Sequence, residues 1–334
     1  MKVLLLANQP EKTTRLKLFG KTLESQGHEV VVPFYGTRNW ITIAMRVKQA
    51  VKKERPDAVH LFNVPDLIYH GLPKLKGPYF RHLIYDYRSP WAIETGITFG
   101  PLARKICEGF ENELAEGADI LTSPNEPMGR KVSSYPGGSN KPLFIVPNYP
   151  PKKFQTYADT EDRAERPKED EGAIIFVGRI SRQEGIGNLL RLARKMPEER
   201  FWIVGDGPFA RFYLRNMPKN VRFFGWQPQQ KVAELVSRAR ICLIIPDETE
   251  ITPYATEKSI WKLNQYLSLG KIVIATGISP EEKRKNLFVV NPEEMEQAIR
   301  NYKDSKPEKL TGQDKHCWEQ NDSTIRQIYE RLEG

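Results

Sequence analysis

Cysteine is scarce in this chain of 334 residues, which contains only Cys107, Cys242 and Cys317. Three cysteines without paired spacing exclude a disulfide framework and a zinc ribbon, and they fit a reducing compartment. Long hydrophobic runs are also lacking, and the apolar start "KVLLLA" is too short for a signal peptide. We therefore expect a cytoplasmic protein. No cluster of metal-ligand residues is visible, so we expect neither a metal nor a cofactor.

Acidic residues are few in residues 1–81. Of the net charge of +9, +8 lies there, from fourteen Lys or Arg against six Asp or Glu. A basic face can attract nucleic acid, anionic lipid or acidic substrates, and a solvated lysine-rich surface gives the same charge. No nucleic-acid module is recognisable, so we expect no such partner. The basic amphipathic segment 40–53 fits peripheral contact with an anionic membrane, and it also fits a helix packed on a sheet.

Short β-rich runs alternate with helical patterns along most of the chain, which predicts βαβ units and parallel sheets. A segment rich in proline and charge interrupts the alternation and is typical of a linker. We therefore predict an α/β fold with two doubly wound, Rossmann-like domains facing across a cleft, and a C-terminal helix. The predicted division is residues 1–150, linker 151–172, residues 173–317, and a final helix at 318–334 that can pack back on the first domain.

Four motifs of the second half follow predicted strands, where ligands bind in such sheets. "FVGRISRQEG" places Gly178 and the permanent cation Arg179 before a helix, a pattern that suits phosphate. "VGDGP" contains Gly205 and Gly207, and "FFGW" places Trp226 where a base can stack. "ATEKSIWKLNQYL" begins a helix near Glu257. Each motif alone is also explained by ordinary turns, packing or helix-dipole pairing.

Their joint order resembles the GT-B retaining glycosyltransferases of glycosyltransferase family 4. That family carries "FVGR…KG…LL", "VGDGP", "V.F.G" and "K..EYL..GKPV.A", which here read "FVGRISRQEGIGNLL", "IVGDGP", "VRFFGW" and "KLNQYLSLGKIVIA". The first half resembles the acceptor domain through "KVLLLAN", "GHEVVV", "LIYDYR" and "IVPN". The resemblance implies two domains, the first for the acceptor and the second for a nucleotide sugar.

The resemblance also implies roles for individual residues. In the family an arginine and a lysine of the first turn neutralise the donor diphosphate, and two glutamates seven residues apart hold the sugar and the ribose. Arg179 matches the arginine, and Glu257 matches the first glutamate and is our catalytic candidate. The implied donor-binding residues are Gly178, Arg179, Arg182, Gly205, Gly207, Trp226 and Gln265.

Three departures from the family pattern concern ligand binding. Glu184 stands where the lysine is expected, Gln265 stands where the second glutamate is expected, and "NQPEKTTR" replaces a glycine-rich loop after the first strand. A glutamine still accepts a ribose hydroxyl bond. For the carboxylate of Glu184, we expect that Arg182 turns toward the phosphates while Glu184 faces solvent or pairs with Arg182.

In the first half, "HLIYDYR" ends a predicted strand, and resembling enzymes place a His or Asp there. Asp86 is therefore a second catalytic candidate, and Arg88 is a candidate for acceptor phosphate. His60 and Asn63 also lie at a strand end and are acceptor-side candidates, although a core histidine explains His60 as well.

We therefore predict a retaining transferase that moves a sugar from a nucleotide-diphosphate donor to an unidentified acceptor. The donor phosphate itself is expected to act as the base. Two alternatives remain open at this point. One is a nucleotide-sugar 2-epimerase on the same scaffold. The other is a degenerate relative that binds a nucleotide sugar or glycan without catalysis, which the three departures favour.

Overall fold

The computed structural model describes residues 1–157, 172–208, 210–312 and 314–333. They form two units, of which unit 1 is Met1–Asn148 with Gln320–Gly334 and unit 2 is Tyr149–Glu319. Most of the predicted linker, residues 158–171, lies outside the described residues. Within its described part, Lys152–Thr156 form a short helix with Phe154 buried.

Unit 1 is built on six parallel strands. They are β1 (Lys2–Leu6), β2 (Glu29–Val31), β3 (Ala58–Phe62), β4 (His82–Asp86), β5 (Ile120–Ser123) and β6 (Leu143–Ile145). The sheet order is β2-β1-β3-β4-β5-β6, so the order in which strands are added to the sheet reverses between β1 and β3. The helices between the strands are α1 (Thr14–Ser25), α2 (Trp40–Glu54), α3 (Trp91–Phe99), α4 (Pro101–Gly117) and α5 (Glu126–Ser133).

Local sequence explains where several of these elements begin and end. β3 and β4 are mostly apolar and are buried on both faces, as is typical of central parallel strands. α1 ends at Ser25, and Gly27 follows it with a φ of 87°, which lets the His28 amide donate to the Leu23 carbonyl oxygen at 3.1 Å. α2 begins where the Asn39 side chain accepts the Thr42 amide at 3.0 Å.

Unit 2 repeats the architecture. After α6 (Lys152–Thr156), its strands are β7 (Ile174–Val177), β8 (Phe201–Val204), β9 (Val221–Phe223), β10 (Ile241–Ile244), β11 (Ile272–Ala275) and β12 (Leu287–Val289). The order is β12-β11-β10-β7-β8-β9, and every pair is parallel. The helices are α7 (Ile186–Lys195), α8 (Ala210–Tyr213), α9 (Gln229–Arg238), α10 (Trp261–Ser268) and α11 (Met295–Tyr302).

The core of unit 2 lies on both faces of its sheet because side chains alternate along each strand. On β7, Ile174 and Phe176 pack on one face with α7 and α11. Ile175 packs on the opposite face with α9 and α10. The prediction of two doubly wound parallel sheets is therefore confirmed. A cleft between the units stays a prediction.

The last helix, α12 (Asp322–Glu333), belongs to unit 1 and packs on α1. The predicted C-terminal helix is therefore present. Asn291 and Glu294 form a reciprocal capping box at the start of the 3-10 turn Pro292–Glu294, which leads into α11. In contrast, α3 was not predicted from the sequence. Within the described ranges, no helix is long and apolar enough to cross a membrane.

Candidate functional site

In unit 2 the order in which strands are added to the sheet reverses between β7 and β10, whose carboxyl ends lie side by side. Ligands of doubly wound sheets bind at such a point. The turn after β7 carries Arg179 and Arg182, and both side chains are exposed. Neither arginine forms an ion pair with any residue that the structure describes. This turn therefore presents two solvated cations at the expected end of the sheet.

The turns after β7 and β8 are in direct backbone contact. The Gly178 amide donates to the Val204 carbonyl oxygen at 2.9 Å, and the Ile180 amide donates to the Asp206 carbonyl oxygen at 3.0 Å. A Cβ on Gly205 would overlap the Gly178 carbonyl oxygen, and one on Gly207 would overlap the Ile180 carbonyl oxygen. The two glycines of "VGDGP" are therefore needed to pack one turn on the other, whether or not a ligand also approaches them.

The start of α7 is fixed against the end of β10. Gly185 has a φ of 78°, and a Cβ there would overlap the carbonyl oxygen of Ile245. One turn inside the helix, the Asn188 amide group donates to the same Ile245 oxygen at 3.0 Å and to the Asp247 carboxylate at 2.8 Å. These contacts aim the start of α7 at the carboxyl edge of the sheet.

Glu184 forms an ion pair with Lys262 of α10. Glu184 thus pairs with Lys262 and not with Arg182, while 38% of its side chain stays exposed, and a role for Arg182 toward a ligand stays a prediction. Lys262 was not singled out from the sequence because it lies 78 residues from Glu184. No local pattern signals such a pair. Its sequence signal is that it begins the motif "KLNQYL", five residues after Glu257.

Glu257 is fully buried just before α10. Its Oε2 accepts the Glu281 amide at 2.8 Å, and among the described residues no group donates to its Oε1. Burial raises the pKa of the Glu257 carboxyl, and the bond from the Glu281 amide opposes that shift. A buried polar atom without a partner requires a physical explanation, and a ligand hydroxyl is one.

Gln265 and Trp226 lie on neighbouring segments. The Gln265 side chain donates through Nε2 to the Gln229 Oε1 at 2.8 Å, which leaves its own carbonyl oxygen as an acceptor. Gln229 is the first residue of α9, and Trp226 lies in the β9–α9 connection with 72% of its surface exposed. An exposed indole at a strand end is suited to stacking on a planar ligand.

In unit 1, Asp86 is fully buried and bound on both oxygens by Arg15. The Arg15 Nε and Nη2 donate to it at 2.7 and 2.8 Å, and the Thr122 hydroxyl donates at 2.7 Å. Burial opposes ionisation of Asp86, but the guanidinium and these bonds outweigh it and hold the pKa below its usual range. Arg15 belongs to the "NQPEKTTR" segment, so this segment supplies a buried cation where a glycine-rich loop was expected.

The other candidates of unit 1 also make internal contacts. The Asn63 amide group donates to the Ser89 carbonyl oxygen at 2.8 Å and accepts the Arg88 backbone amide at 2.9 Å. The Arg88 side chain bonds to the Asn63 carbonyl oxygen. His60 is fully buried and stacked on Phe62, and its Nδ1 contacts the Tyr329 hydroxyl at 2.8 Å.

Burial lowers the pKa of His60 to about 3. His60 is therefore neutral at physiological pH, and its surroundings are those of a core histidine. Asp86, Asn63 and Arg88 lie together at the carboxyl ends of β3 and β4. Their roles toward an acceptor stay predictions.

Part of the sequence matches a known protein family, and the fold is similar to that of solved structures. Residues 171–304 match the family Glycosyl transferases group 1. No curated protein sequence matches the chain. Among solved structures, a sucrose-phosphate synthase from Thermosynechococcus elongatus is similar at a TM-score of 0.69 and 14% identity, with 99% of this chain and 98% of that chain covered.

Two further structures share the fold. HepE from Anabaena in complex with UDP-glucose has a TM-score of 0.68 and 13% identity, with 99% of this chain and 100% of that chain covered. A UDP-GlcNAc 2-epimerase from Methanocaldococcus jannaschii has a TM-score of 0.60 and 10% identity, with 99% and 100% covered. These likenesses define the GT-B fold class. The family match assigns residues 171–304 to the glycosyltransferases of group 1, which confirms both the resemblance and the prediction of a glycosyltransferase.

Proposed function

We propose that the protein transfers a sugar, with retention, from a nucleotide-diphosphate donor bound by unit 2. The observation that carries this proposal is Glu257, because a buried carboxylate with an unpartnered Oε1 occurs at the position of the sugar-holding glutamate. A solved structure that shares the fold, HepE, contains UDP-glucose, which supports a nucleotide-sugar donor.

In this proposal the diphosphate lies over the turn after β7. Arg179 donates to phosphate oxygens, and the start of α7 adds its amides and the positive end of its dipole. Trp226 contacts the base, and the Gln265 carbonyl oxygen accepts a ribose hydroxyl. The pairing of Glu184 with Lys262 removes the main argument for a non-catalytic binder, because the carboxylate is neutralised within the protein.

The chemistry then depends on position and charge. Glu257 Oε1 accepts hydroxyl hydrogen bonds from the sugar and fixes its anomeric carbon toward the acceptor. The bond between the anomeric carbon and the diphosphate breaks, and the acceptor hydroxyl oxygen bonds to that carbon on the face that the diphosphate leaves, which gives retention. The leaving diphosphate takes the acceptor proton. Arg179 and the α7 dipole stabilise the charge that develops on the leaving diphosphate.

Unit 1 is proposed to hold the acceptor, with Asn63 and Arg88 at the carboxyl ends of its strands. Asp86 acts on this site indirectly, by holding the Arg15 side chain, because both of its oxygens already accept hydrogen bonds from Arg15. The 2-epimerase remains the rival enzyme. It is disfavoured because the family match is to transferases, whereas the likeness to an epimerase extends only to the fold.

The test measures nucleoside diphosphate release and product configuration. The protein is incubated with UDP-, GDP-, ADP- and dTDP-sugars and a panel of glycan, lipid and polyol acceptors, and product anomers are read by NMR. We expect one donor to be consumed with retention, and Glu257→Gln to lose this activity while keeping nucleotide affinity within about twofold. Inverted product, 2-epimer formation, or full activity in Glu257→Gln would contradict the proposal.

We also propose that unit 1 contacts an anionic membrane through helices α2, α3 and α4. α2 and α4 both pack on the turn Asp66–Tyr69, and Trp40 contacts Trp91 of α3 at 6.4 Å between ring centroids, so the three helices share one side of the sheet. Their exposed apolar residues are Trp40, Ile41, Met45, Ile97, Phe99, Leu102 and Ile106. Exposed Arg46, Lys52, Lys53 and Lys105 add positive charge.

Sedimentation with vesicles tests this contact. We expect binding to vesicles that contain phosphatidylglycerol and not to pure phosphatidylcholine. Phe99→Ser with Leu102→Ser should reduce binding about tenfold or more. Phe212→Ser in unit 2 is the matched control, because Phe212 is 77% exposed and lies on α8. Equal loss in both variants, or no vesicle binding by the wild type, would contradict membrane contact.

A further inference from the structure

The ammonium group of Lys262 lies directly over the turn that follows β7. Its Nζ is 3.1 Å from the position that a Cβ on Gly178 would occupy. The same Nζ is paired with Glu184 and lies 4.6 Å from the centroid of the Phe176 ring. The Lys262 side chain is 15% exposed and the Glu184 side chain is 38% exposed. A largely buried cation therefore borders the proposed diphosphate position.

Three contacts determine where this cation lies. The Glu184 carboxylate bonds to it, the Phe176 ring faces the ammonium group, and α10 itself is attached to β7. The attachment is the Tyr266 hydroxyl, which accepts the Val177 backbone amide at 2.8 Å. Because Tyr266 follows Lys262 by one helical turn, this bond holds the start of α10 beside the β7 turn.

We propose that Lys262 is the second cation for the donor diphosphate and that Glu184 is its positioning residue. This inference depends on the proposed function, since it names a ligand of the same site. An ammonium group has three donors, so Lys262 can keep its bond to Glu184 while it donates to a phosphate oxygen. In this arrangement the cation reaches the diphosphate from α10, and the carboxylate on the turn holds that cation in place.

The position of Lys262 predicts a different effect on diphosphate affinity than a site in which Arg182 replaces the missing lysine. Arg182 is exposed on the turn, whereas Lys262 is held by the protein before any ligand arrives. A preorganised cation loses less conformational freedom on binding than a mobile one. Affinity for the diphosphate should therefore depend on Lys262 more than on Arg182.

Calorimetric titration of UDP, GDP, ADP, CDP and dTDP, with their nucleosides, tests the assignment. Lys262→Met keeps an unbranched side chain and removes the charge, so it should weaken binding of the diphosphate about tenfold to a hundredfold and leave binding of its nucleoside unchanged. Lys262→Glu should abolish diphosphate binding. The exchanged variant Glu184→Lys with Lys262→Glu should recover to within about threefold of the wild type. Lys219→Met, at an exposed lysine that precedes β9, is the matched control and should change affinity less than about threefold, and Arg182→Ala should weaken affinity less than Lys262→Met does.

The outcomes separate this assignment from the proposed function. If Arg179→Ala weakens diphosphate binding but Lys262→Met and Lys262→Glu do not, the pair is only structural and this assignment is wrong. Failure of the exchanged variant to recover, with a melting temperature equal to that of the wild type, also contradicts it. If the wild type binds no nucleoside diphosphate, the proposed function fails and this assignment fails with it.

Discussion

Replacement of Asp86 by asparagine should destabilise unit 1 strongly. Asp86 and Arg15 are at most 1% exposed, and two of the guanidinium donors bond to the carboxylate. The third donor group, Nη1, bonds to the Val146 carbonyl oxygen at 2.6 Å and to Asn148 at 2.9 Å. Arg15 thus connects α1, β4 and the segment after β6, and Asp86→Asn leaves its charge uncompensated in the interior.

The magnitude follows from the burial of the pair. Loss of one partner of a buried ion pair costs about 3–5 kcal/mol, and asparagine retains an acceptor oxygen, so we expect about 3 kcal/mol. Glu54→Gln is the matched control, because Glu54 bonds to Lys2 at 3.0 Å in a pair that is 24–28% exposed. An exposed pair contributes about 0–1 kcal/mol.

Hydrogen exchange read peptide by peptide is the appropriate assay, because a chain of two units does not unfold in one two-state transition. A loss of 3 kcal/mol corresponds to about a hundredfold faster exchange in peptides of β1, β3 and β4. Peptides of unit 2 should not change. If β4 peptides exchange no faster in Asp86→Asn than in Glu54→Gln, the account of this pair is wrong.

The same pair gives a pH dependence of known sign. Because the pKa of folded Asp86 is below its usual range, its stabilising contribution is complete above the usual aspartate pKa. It is lost progressively as the pH falls through the lowered pKa. Exchange in β4 peptides of the wild type, corrected for intrinsic rates, should therefore accelerate in acid, and Asp86→Asn should abolish that part of the dependence.

Two further predictions concern unit 2. Gly185→Ala should destabilise it by about 3 kcal/mol, because the positive φ and the Ile245 carbonyl oxygen both oppose a Cβ. Gly187→Ala is the control and should be neutral or stabilising, because the nearest contact of its Cβ would be at 3.9 Å. Equal denaturation midpoints of the two variants would contradict this prediction. Trp226→Ala should weaken a nucleoside and its diphosphate equally, by about tenfold, with Phe212→Ala as an unaffected control; a loss confined to the diphosphate would exclude base contact.

The sequence predicts the two parallel sheets well because buried strands such as β7 and β11 are continuous apolar runs between helical patterns. Capping residues such as Asn291 and Gly27 also act locally, so their effect can be predicted. The helix α3 could not be predicted from the sequence, because its mainly apolar sequence "WAIETGITF" lacks a polar face and a capping side chain.

The candidate site divides in the same way. Arg179 and Trp226 follow strands and Glu257 precedes a helix, so their place at the carboxyl edge follows from order alone. The ion-pair partners of charged residues cannot be predicted from the order of elements, because Glu184 and Lys262 are 78 residues apart and Arg15 and Asp86 are 71 residues apart. Such pairs depend on which strands become neighbours, and that depends on tertiary packing.

Calorimetric comparison of the wild type with Arg179→Ala tests the central claim most directly. The claim is that the turn after β7 holds the diphosphate of a nucleotide sugar. We expect the wild type to bind one nucleoside diphosphate more tightly than its nucleoside, and Arg179→Ala to lose about tenfold to a hundredfold of the diphosphate affinity with nucleoside affinity unchanged. Equal losses for both ligands, or a wild type that binds no nucleoside diphosphate, would contradict the claim.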